Sequence, residues 1–287
     1  MRTGFIGAGK AGTSLGAYFK DNGVPVAGYF SRSIESSKQA ADLTKSTAFS
    51  DLKELVTESD MIFITTPDGA IGETAEKLAD FDLAGKYLCH LSGSVSSGVL
   101  LCADERCASA HPMTAISGKN TDLSGVFFTL EGEEETMTEL EQIFKKCGNP
   151  TARIRTEKKD IYHCAASVAS NLMVGLAQIS IDMLKECGFD EKSASELLAP
   201  LMKNNISAVC EKGTAAALTG PVERADADTV KKHLGCFEKT EGAGSGVGSQ
   251  QMCEIYRLLS LELIDIAREK NKDRNYNELK ELLEEKK

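Results

Sequence analysis

The chain has 287 residues, 41% of them hydrophobic and 26% charged, and its 33 basic and 43 acidic side chains give a formal net charge of −10. This composition is typical of a soluble globular protein, and the length suits roughly two domains. Nucleic acid and anionic membranes attract basic surfaces, so a chain this acidic is predicted to bind neither.

Nine cysteines are scattered along the chain, and no two of them have Cys-x-x-Cys spacing. An odd number of cysteines in apolar surroundings predicts free thiols in a reducing compartment, with no disulfide framework and no zinc site. The four histidines lie far apart in the sequence, which also argues against a metal site. The N-terminal run lacks the pattern of a signal peptide, so we expect a cytoplasmic protein.

The first half of the chain alternates between strand and helix signals. Helical segments are predicted at 13–21 and 34–43, and short apolar runs predict strands at 2–6, 24–30, 61–65, 87–91, 107–110, 126–130 and 152–154. Continuous apolar strands of this kind indicate a parallel sheet covered on both faces. The predicted fold class is α/β, with an N-terminal Rossmann-like, doubly wound and mostly parallel sheet over residues 1–156.

Beyond residue 156 the signals are almost exclusively helical, so residues 157–287 are predicted to form an all-α substrate and dimerisation domain. Residues 161–181 contain no Asp, Glu, Lys or Arg and are long enough to span a bilayer. Their polar side chains are spread around the whole helix, which would be costly in lipid. We therefore expect a buried core helix rather than a membrane span, and a homodimer interface along this helix.

A glycine-rich segment, Gly7-Ala8-Gly9-Lys10-Ala11-Gly12, lies between a predicted strand and a predicted helix, at the spacing of a βαβ unit. In that context it predicts a dinucleotide site. Gly7 permits a tight turn, Gly9 leaves room for a pyrophosphate, and Gly12 lets the helix pack closely on the strand. The alternative is a structural turn that binds no ligand.

The second predicted strand is followed by Ser31, Arg32 and Ser33, where an NAD-binding protein would place an acidic residue to hold the ribose. A carboxylate there would repel a 2′-phosphate, whereas a guanidinium binds phosphate bidentately and serine hydroxyls add donors. The segment therefore predicts NADP(H) as the cofactor. The alternative is that Arg32 is a solvated loop residue.

Several stretches of the chain resemble a known family. They are GFIGAGKAGTSLG with YFSRS, CHLSGSVSSGVL with SAHPM, KDIYHCAASVASN, and ALTGPVERADADTVKKHL. On these motifs the chain resembles, nearly end to end, the Rossmann-like proteins with a DUF2520-type C-terminal domain, within the superfamily of 6-phosphogluconate dehydrogenase and ketopantoate reductase. It departs from the family pattern at Ser94, Cys164 and Ala225, and Ala225 stands where a glycine is usual.

The resemblance implies an NADP-dependent oxidoreductase with a small-molecule substrate. The sharpest expectation is reduction of a small 2-oxo acid, 2-dehydropantoate (ketopantoate) first, which would make the protein an enzyme of the CH–OH class. The alternatives are an imine reductase similar to pyrroline-5-carboxylate reductase and a non-catalytic NADP(H)-sensing protein, since a fold does not settle function.

Carbonyl reduction needs a proton donor, and Lys159 and His163 lie one helical turn apart on the same face of a predicted helix. Either of them is a candidate donor, and Ser167 continues the same face toward a substrate. The resemblance adds Asn171 as a further catalytic residue. The alternatives are a surface lysine and a core histidine.

Ligands of doubly wound folds bind at the carboxyl ends of the strands. Residues at those ends are therefore expected to contact the cofactor, namely Thr65, Thr66, Pro67 and Ser92. We expect His111 to contact the substrate and Arg224 to clamp a substrate carboxylate. The alternatives are strand termination at Ser92 and His111, and an exposed arginine near a helix start at Arg224.

Overall fold

The computed structural model describes residues 1–100, 106–238 and 249–284. It divides the chain into two compact units, Met1–Ala169 and Ser170–Lys287. The helix Lys159–Ser167 belongs to the first unit, and its Lys159 and Tyr162 side chains form hydrogen bonds to strands of the sheet. The division therefore lies beyond the 156/157 boundary expected from helix content alone.

In the described ranges, the first unit is built on an eight-stranded sheet. The order across it is β3-β2-β1-β4-β5-β6-β7-β8, and all neighbouring strands are parallel except β6 and β7. The strands are β1 (Thr3–Ile6), β2 (Val26–Phe30), β3 (Thr47–Ala48), β4 (Met61–Ile64), β5 (Tyr87–His90), β6 (Cys107–Pro112), β7 (Phe128–Gly132) and β8 (Thr151–Arg153). The predicted doubly wound, mostly parallel sheet is confirmed.

Each strand predicted from an apolar run is present, shifted by no more than two residues at either end. The two-residue strand β3 was not predicted, because Thr47 and Ala48 are too few to show a pattern. The helices of the first unit are α1 (Lys10–Asp21), α2 (Ile34–Thr44), α3 (Leu52–Thr57), α4 (Ile71–Leu78), α5 (Glu134–Lys146) and α6 (Lys159–Ser167).

The sheet has a separate apolar core on each face. One core includes Phe5, Tyr29 and Phe63, and the rings of Tyr29 and Phe63 stack on Phe5 with centroid distances of 5.0 and 5.4 Å. The other core includes Ile62 and Leu88. Successive side chains of a strand point to opposite faces, so the fully buried run of β4 serves both cores.

The second unit is helical in its described residues. Its helices are α7 (Met173–Glu186), α8 (Glu191–Lys212), α9 (Thr214–Ala217), α10 (Ala227–Glu238), α11 (Ser249–Lys270) and α12 (Asn277–Glu284), and a π-helical turn, Val168–Leu172, precedes α7. Its apolar core includes Val230 of α10, Ile264 of α11 and Leu279 of α12. The predicted helical C-terminal part is thus confirmed.

The apolar helix is not the buried core helix that the sequence predicts. No residue of α7 is buried, and the Val174 side chain is 71% exposed. That expectation is wrong for the single chain, because the core of the second unit is formed largely by α10, α11 and α12 instead. Among the described residues, Thr156–Glu186 is the one helical stretch long and apolar enough to cross a membrane, judged by length and composition alone.

A strained position precedes α10. Ala225 has a φ of 57°, in the left-handed region that favours glycine over residues with a Cβ. Asp226 follows and caps the helix, since its carboxylate accepts hydrogen bonds from the N–H and hydroxyl of Thr229 at 3.0 and 2.7 Å.

The cysteines that the structure describes are all free thiols, and Cys102 lies outside the described residues. Cys89, Cys107 and Cys147 are buried and serve as small hydrophobic side chains. Within the described ranges, no group of three or more His, Cys, Asp or Glu side chains is arranged to hold a metal ion.

Candidate cofactor pocket and active site

The glycine turn between β1 and α1 is shaped by close approaches. Gly7 has a φ of 112°, and a side chain there would collide with the backbone of Thr65. A Cβ on Gly12 would collide with Thr65 and with the Gly7 carbonyl, whereas a Cβ on Gly9 would meet only open space. The turn therefore has the tight helix–strand packing that the sequence predicts, with room at the start of α1 for a phosphate group.

An open cavity of about 440 Å³ runs along this turn. It is lined by most of the residues predicted to bind a cofactor, namely Gly7, Ala8, Gly9, Ser31, Arg32, Ser33, Thr65, Thr66 and Pro67. Lys10, Ala11 and Gly12 form the first turn of α1 beside it. Ser36 and three side chains of α4, Glu73, Thr74 and Lys77, complete its polar lining.

The segment after β2 is built to receive an anion. Ser33 caps α2, and its hydroxyl accepts a hydrogen bond from the Ser36 N–H at 3.3 Å. The N-terminal end of α2, which carries a partial positive charge, thus lies at the cavity next to the Arg32 guanidinium. A 2′-phosphate fits these groups, since the loop after β2 contributes no carboxylate.

The loop after β4 forms another part of the cavity wall. The Thr65 hydroxyl donates a hydrogen bond to the Gly7 carbonyl at 2.8 Å and ties this loop to the glycine turn. The Thr66 hydroxyl oxygen is buried and has no hydrogen-bond partner in the described structure. A buried hydroxyl without a partner is costly, so its position in the cavity wall fits a polar ligand such as a nucleotide.

A second group of polar side chains lies at the carboxyl ends of β5 and β6. His111, on β6, has its Nδ1 2.7 Å from the Tyr162 hydroxyl of α6, and the His163 ring lies 6.2 Å from the His111 ring. Burial, followed by the charges of His163 and Lys159, lowers the pKa of His111 to about 4. His111 is therefore neutral at pH 7, and it shares this cluster with Tyr162 and His163.

Lys159 has quite different surroundings from His163, although the two lie on the same helix. Its side chain is 3% exposed, and its Nζ donates to Glu131 Oε2 at 3.0 Å and to the Ser109 hydroxyl at 2.5 Å. Glu131 also accepts hydrogen bonds from the N–H and hydroxyl of Ser97 at 3.0 and 2.8 Å. Burial opposes ionisation of Glu131, but Ser97 and Lys159 lower its pKa to about 2, so the carboxylate is charged.

Ser92 organises the turn after β5. Its hydroxyl donates to Asp68 Oδ2 at 2.8 Å and accepts hydrogen bonds from the N–H groups of Ser94 and Val95. Ser94 adds a second hydroxyl to the same carboxylate oxygen at 2.9 Å. The Ser92 hydroxyl thus holds the turn together and links it to the loop after β4.

His90 lies beneath this turn and is fully buried. Its Nδ1 accepts a hydrogen bond from the Ser92 N–H at 3.2 Å, and its Nε2 has no partner in the described structure. Burial, with Lys159 nearby, lowers the pKa of His90 to about 4. The ring is a neutral part of the core rather than a group that reaches the surface.

Two of the expected site residues lie in the second unit. Asn171 is exposed, and its Oδ1 accepts a hydrogen bond from the Ser170 hydroxyl at 3.1 Å. Arg224 is exposed in the turn before α10. Ser167 is the last residue of α6 and is half-buried in the first unit.

Sequence reasoning missed several residues of these two sites. Tyr162 has no functional signal in the sequence, because it resembles any aromatic residue of a helix. Glu131 has none either, because it resembles the polar end of an apolar strand. Gly93 was also missed, although a Cβ there would come within 2.8 Å of His111 Nε2. Glu73 and Lys77 of α4 were missed because an i, i+4 pair normally indicates a solvated helix face.

Two family models cover most of the chain. Residues 1–114 match a Rossmann-like domain, and residues 126–263 match DUF2520, a domain of unknown function. The chain thus carries the two domains that its motifs indicated, in the same order. No curated protein matches the chain.

The fold is similar to those of solved oxidoreductases and of one protein without a stated activity. Protein TM1727 from Thermotoga maritima has 26% sequence identity and a TM-score of 0.75, with 93% of this chain and 98% of that one covered. The NADPH complex of a reductive aminase from Aspergillus terreus has 14% identity, a TM-score of 0.63, and coverage of 98% and 97%. The NADP complex of Plasmodium falciparum pyrroline carboxylate reductase has 15% identity, a TM-score of 0.57, and coverage of 95% and 97%.

Proposed function

We propose that this chain, a Rossmann-like domain joined to a DUF2520 domain, is an NADP(H)-dependent reductase of a small carbonyl or imine compound. The observation that carries the proposal is the cavity between the glycine turn and the Ser31-Arg32-Ser33 segment. It offers space and helix N-termini for phosphates, and a guanidinium where an NAD-binding site would have a carboxylate. Solved proteins of similar fold bind NADP or NADPH, which supports the same cofactor here.

The reaction needs a hydride and a proton. When bound, NADPH supplies the hydride to the substrate carbon, and the chain supplies the proton to the substrate oxygen or nitrogen. His163 is the donor, because it is exposed beside His111 whereas the Lys159 ammonium is held by Glu131 and Ser109 in the interior. A carbonyl then becomes an alcohol, or an imine an amine, and NADPH becomes NADP⁺.

His111 positions the substrate rather than donating the proton. It is neutral at pH 7 because its pKa is about 4, and the Tyr162 hydroxyl fixes the Nδ1 side of its ring. The missing side chain of Gly93 leaves space at the Nε2 end of the ring. His111 Nε2 is therefore the atom that forms a hydrogen bond to the substrate's polar group.

The first substrate to test is a 2-oxo acid, ketopantoate, whose reduction places the enzyme in the CH–OH class. From the sequence motifs alone, Arg224 is proposed to bind a substrate carboxylate and Asn171 to act on the reacting oxygen. Cyclic imines are the second class, because pyrroline carboxylate reductase and reductive aminase share the fold. A chain that senses NADP(H) without catalysis is the remaining alternative.

The test is NADPH oxidation by the purified protein with ketopantoate, followed by a panel of 2-oxo acids and cyclic imines. Turnover with NADPH that is much faster than with NADH supports the proposal, and loss of turnover in His163→Ala with NADPH binding retained supports the assigned donor. Absence of turnover across the whole panel, with NADPH still bound, contradicts the reductase and favours the sensor.

The same proposal assigns a second copy of the chain to the exposed apolar faces of α7 and α8. Val174 of α7 and Leu197 and Leu201 of α8 are each more than half exposed, and residues 161–181 contain no Asp, Glu, Lys or Arg. Large exposed apolar patches mark interaction sites, and a two-fold dimer places the same patch on both sides of the interface.

Free thiols among the described cysteines suit a protein of the cytoplasm.

A further inference from the structure

The cofactor cavity is lined by charged side chains of helix α4 as well as by Arg32 after β2. Helix α4 contributes Glu73, Thr74 and Lys77 to the lining, and Lys77 Nζ lies 2.7 Å from Glu73 Oε1. Hydrogen bonding to Lys77 is the main cause of the lowered pKa of Glu73, and the Arg32 charge adds to it. Glu73 is thus close enough to Arg32 for the two charges to interact across the cavity.

This placement creates a conflict for a 2′-phosphate. The sequence after β2 avoids an acidic residue, yet α4 brings a carboxylate to the same cavity. Arg32, Glu73 and Lys77 are the charged residues in the lining, so their net charge is +1. Without Lys77 the lining would be neutral, and an unpaired carboxylate would compete with the phosphate for Arg32.

We infer that Lys77 is a specificity-determining residue of the cofactor cavity, because it neutralises Glu73 and so leaves the Arg32 guanidinium available to a 2′-phosphate. The inference rests on the proposed NADP(H) function but concerns only how the phosphate end of the cofactor is selected. Glu73 has the opposite effect, and its removal raises the net charge of the lining to +2. Thr74 is not involved, since its hydroxyl donates to the Ala70 carbonyl at 2.7 Å.

The expected sizes are modest, because Glu73 and Lys77 are largely exposed and water screens their charges. The 2′-phosphate carries a charge of about −2. Adding or removing one charge in the lining should therefore change the binding constant of NADPH by about three- to tenfold at low salt. NADH lacks the 2′-phosphate, so its binding should change less than twofold in the same variants.

The experiment measures dissociation constants of NADPH and NADH by cofactor fluorescence for the full chain and for Lys77→Met and Glu73→Gln. Competition by 2′,5′-ADP and by ADP isolates the phosphate end. Lys77→Met should weaken the binding of NADPH and of 2′,5′-ADP about three- to tenfold, and Glu73→Gln should tighten the binding of both. Salt at about 0.5 M should reduce the effects of both substitutions. Lys53→Met is the control, because it removes one exposed positive charge from α3 outside this cavity.

Each remaining outcome decides one of the two claims. If NADPH binds well but neither variant changes the NADPH-to-NADH ratio, the role of Lys77 is refuted and the proposed cofactor stands. The selective role is also refuted if Lys77→Met weakens NADH binding as much as NADPH binding. The same holds if Lys53→Met weakens NADPH binding as strongly as Lys77→Met does. If the unaltered chain binds neither NADPH nor 2′,5′-ADP, the proposed function itself fails.

Discussion

Lys159 and His163 lie one helical turn apart, and the fold gives them different surroundings. Lys159 is closed into the interior by Glu131 and Ser109, whereas His163 remains exposed beside His111. A buried ion pair that loses one partner leaves an uncompensated charge, which is strongly destabilising. Substitutions at these two positions should therefore affect different properties of the protein.

We expect Lys159→Met to lower the free energy of unfolding by about 3–5 kcal/mol, because it leaves the Glu131 carboxylate buried without its counter-charge. His163→Ala should leave stability nearly unchanged and lower NADPH-dependent turnover about 100- to 10,000-fold, the range that general acids contribute. Urea denaturation and steady-state kinetics on the same preparations separate the two effects. A His163→Ala enzyme with full turnover, or a Lys159→Met protein as stable as the parent, would contradict this assignment.

His90 should make the protein sensitive to mild acid. Its pKa is about 4 in the folded chain, against 6.5 for an ordinary histidine, so below pH 6.5 the unfolded chain takes up a proton that the folded chain does not. Stability is then fully present above pH 6.5 and falls toward pH 4, by about 2 kcal/mol between pH 7.5 and pH 5.0 from this residue alone.

The matched variant is His90→Asn, which keeps an acceptor for the Ser92 N–H but cannot titrate. Urea unfolding at pH 7.5 and pH 5.0 should show a smaller loss of stability in the variant, by about 2 kcal/mol. His111 keeps its own contribution in both proteins, since the substitution leaves it in place. An identical pH dependence in parent and variant would show that His90 is not the group responsible.

At the scale of elements, the strands and the glycine turn could be predicted, but the pairing of side chains between elements could not. The fully apolar run of β4 indicates burial on both faces of the sheet. The glycines from Gly7 to Gly12 indicate that a helix packs closely on the strands of one βαβ unit. Tyr162 and His111 lie 51 residues apart, and Lys159 and Glu131 lie 28 apart. Spacing within a helix says nothing about such partners, so the sequence left Lys159 and His163 as equivalent candidates.

The turn before α10 offers a test of the departure from the family pattern at Ala225. Its φ of 57° is strained for alanine and relaxed for glycine, so Ala225→Gly should raise the free energy of unfolding by about 0.5–1 kcal/mol. Ala208→Gly, inside α8, is the control and should lower stability by about 0.5–1 kcal/mol. Thermal and urea unfolding measure the stability of both variants. An Ala225→Gly variant less stable than the parent would show that Ala225 is not strained.

The exposure of α7 explains why composition led to a wrong burial prediction. A stretch without Asp, Glu, Lys or Arg, such as residues 161–181, predicts a buried environment. The sequence does not say whether the same chain or a partner provides that environment. Val174 and its neighbours on α7 and α8 are exposed in the single chain, so the apolar character of α7 points to another molecule. A second copy of the chain is the partner proposed to cover these apolar faces.

We expect the protein to sediment with the mass of two chains at micromolar concentration, and Val174→Glu to shift it toward the mass of one. The added charge would be buried at the centre of the proposed interface, which is costly. Gln142→Glu, which adds the same charge to α5 in the first unit, should leave the dimer intact. A parent that is monomeric in buffer but binds to phospholipid vesicles would instead assign α7 to a membrane.

We propose that the cavity beside the glycine turn selects NADP(H) through Arg32. The most direct test is fluorescence titration of the parent and of Arg32→Ala with NADPH and NADH. The parent should bind NADPH at least tenfold more tightly than NADH, and Arg32→Ala should remove most of that preference, with NADH affinity little changed. Equal affinity for the two cofactors in the parent, or a preference that survives in Arg32→Ala, would show that Arg32 does not select the cofactor.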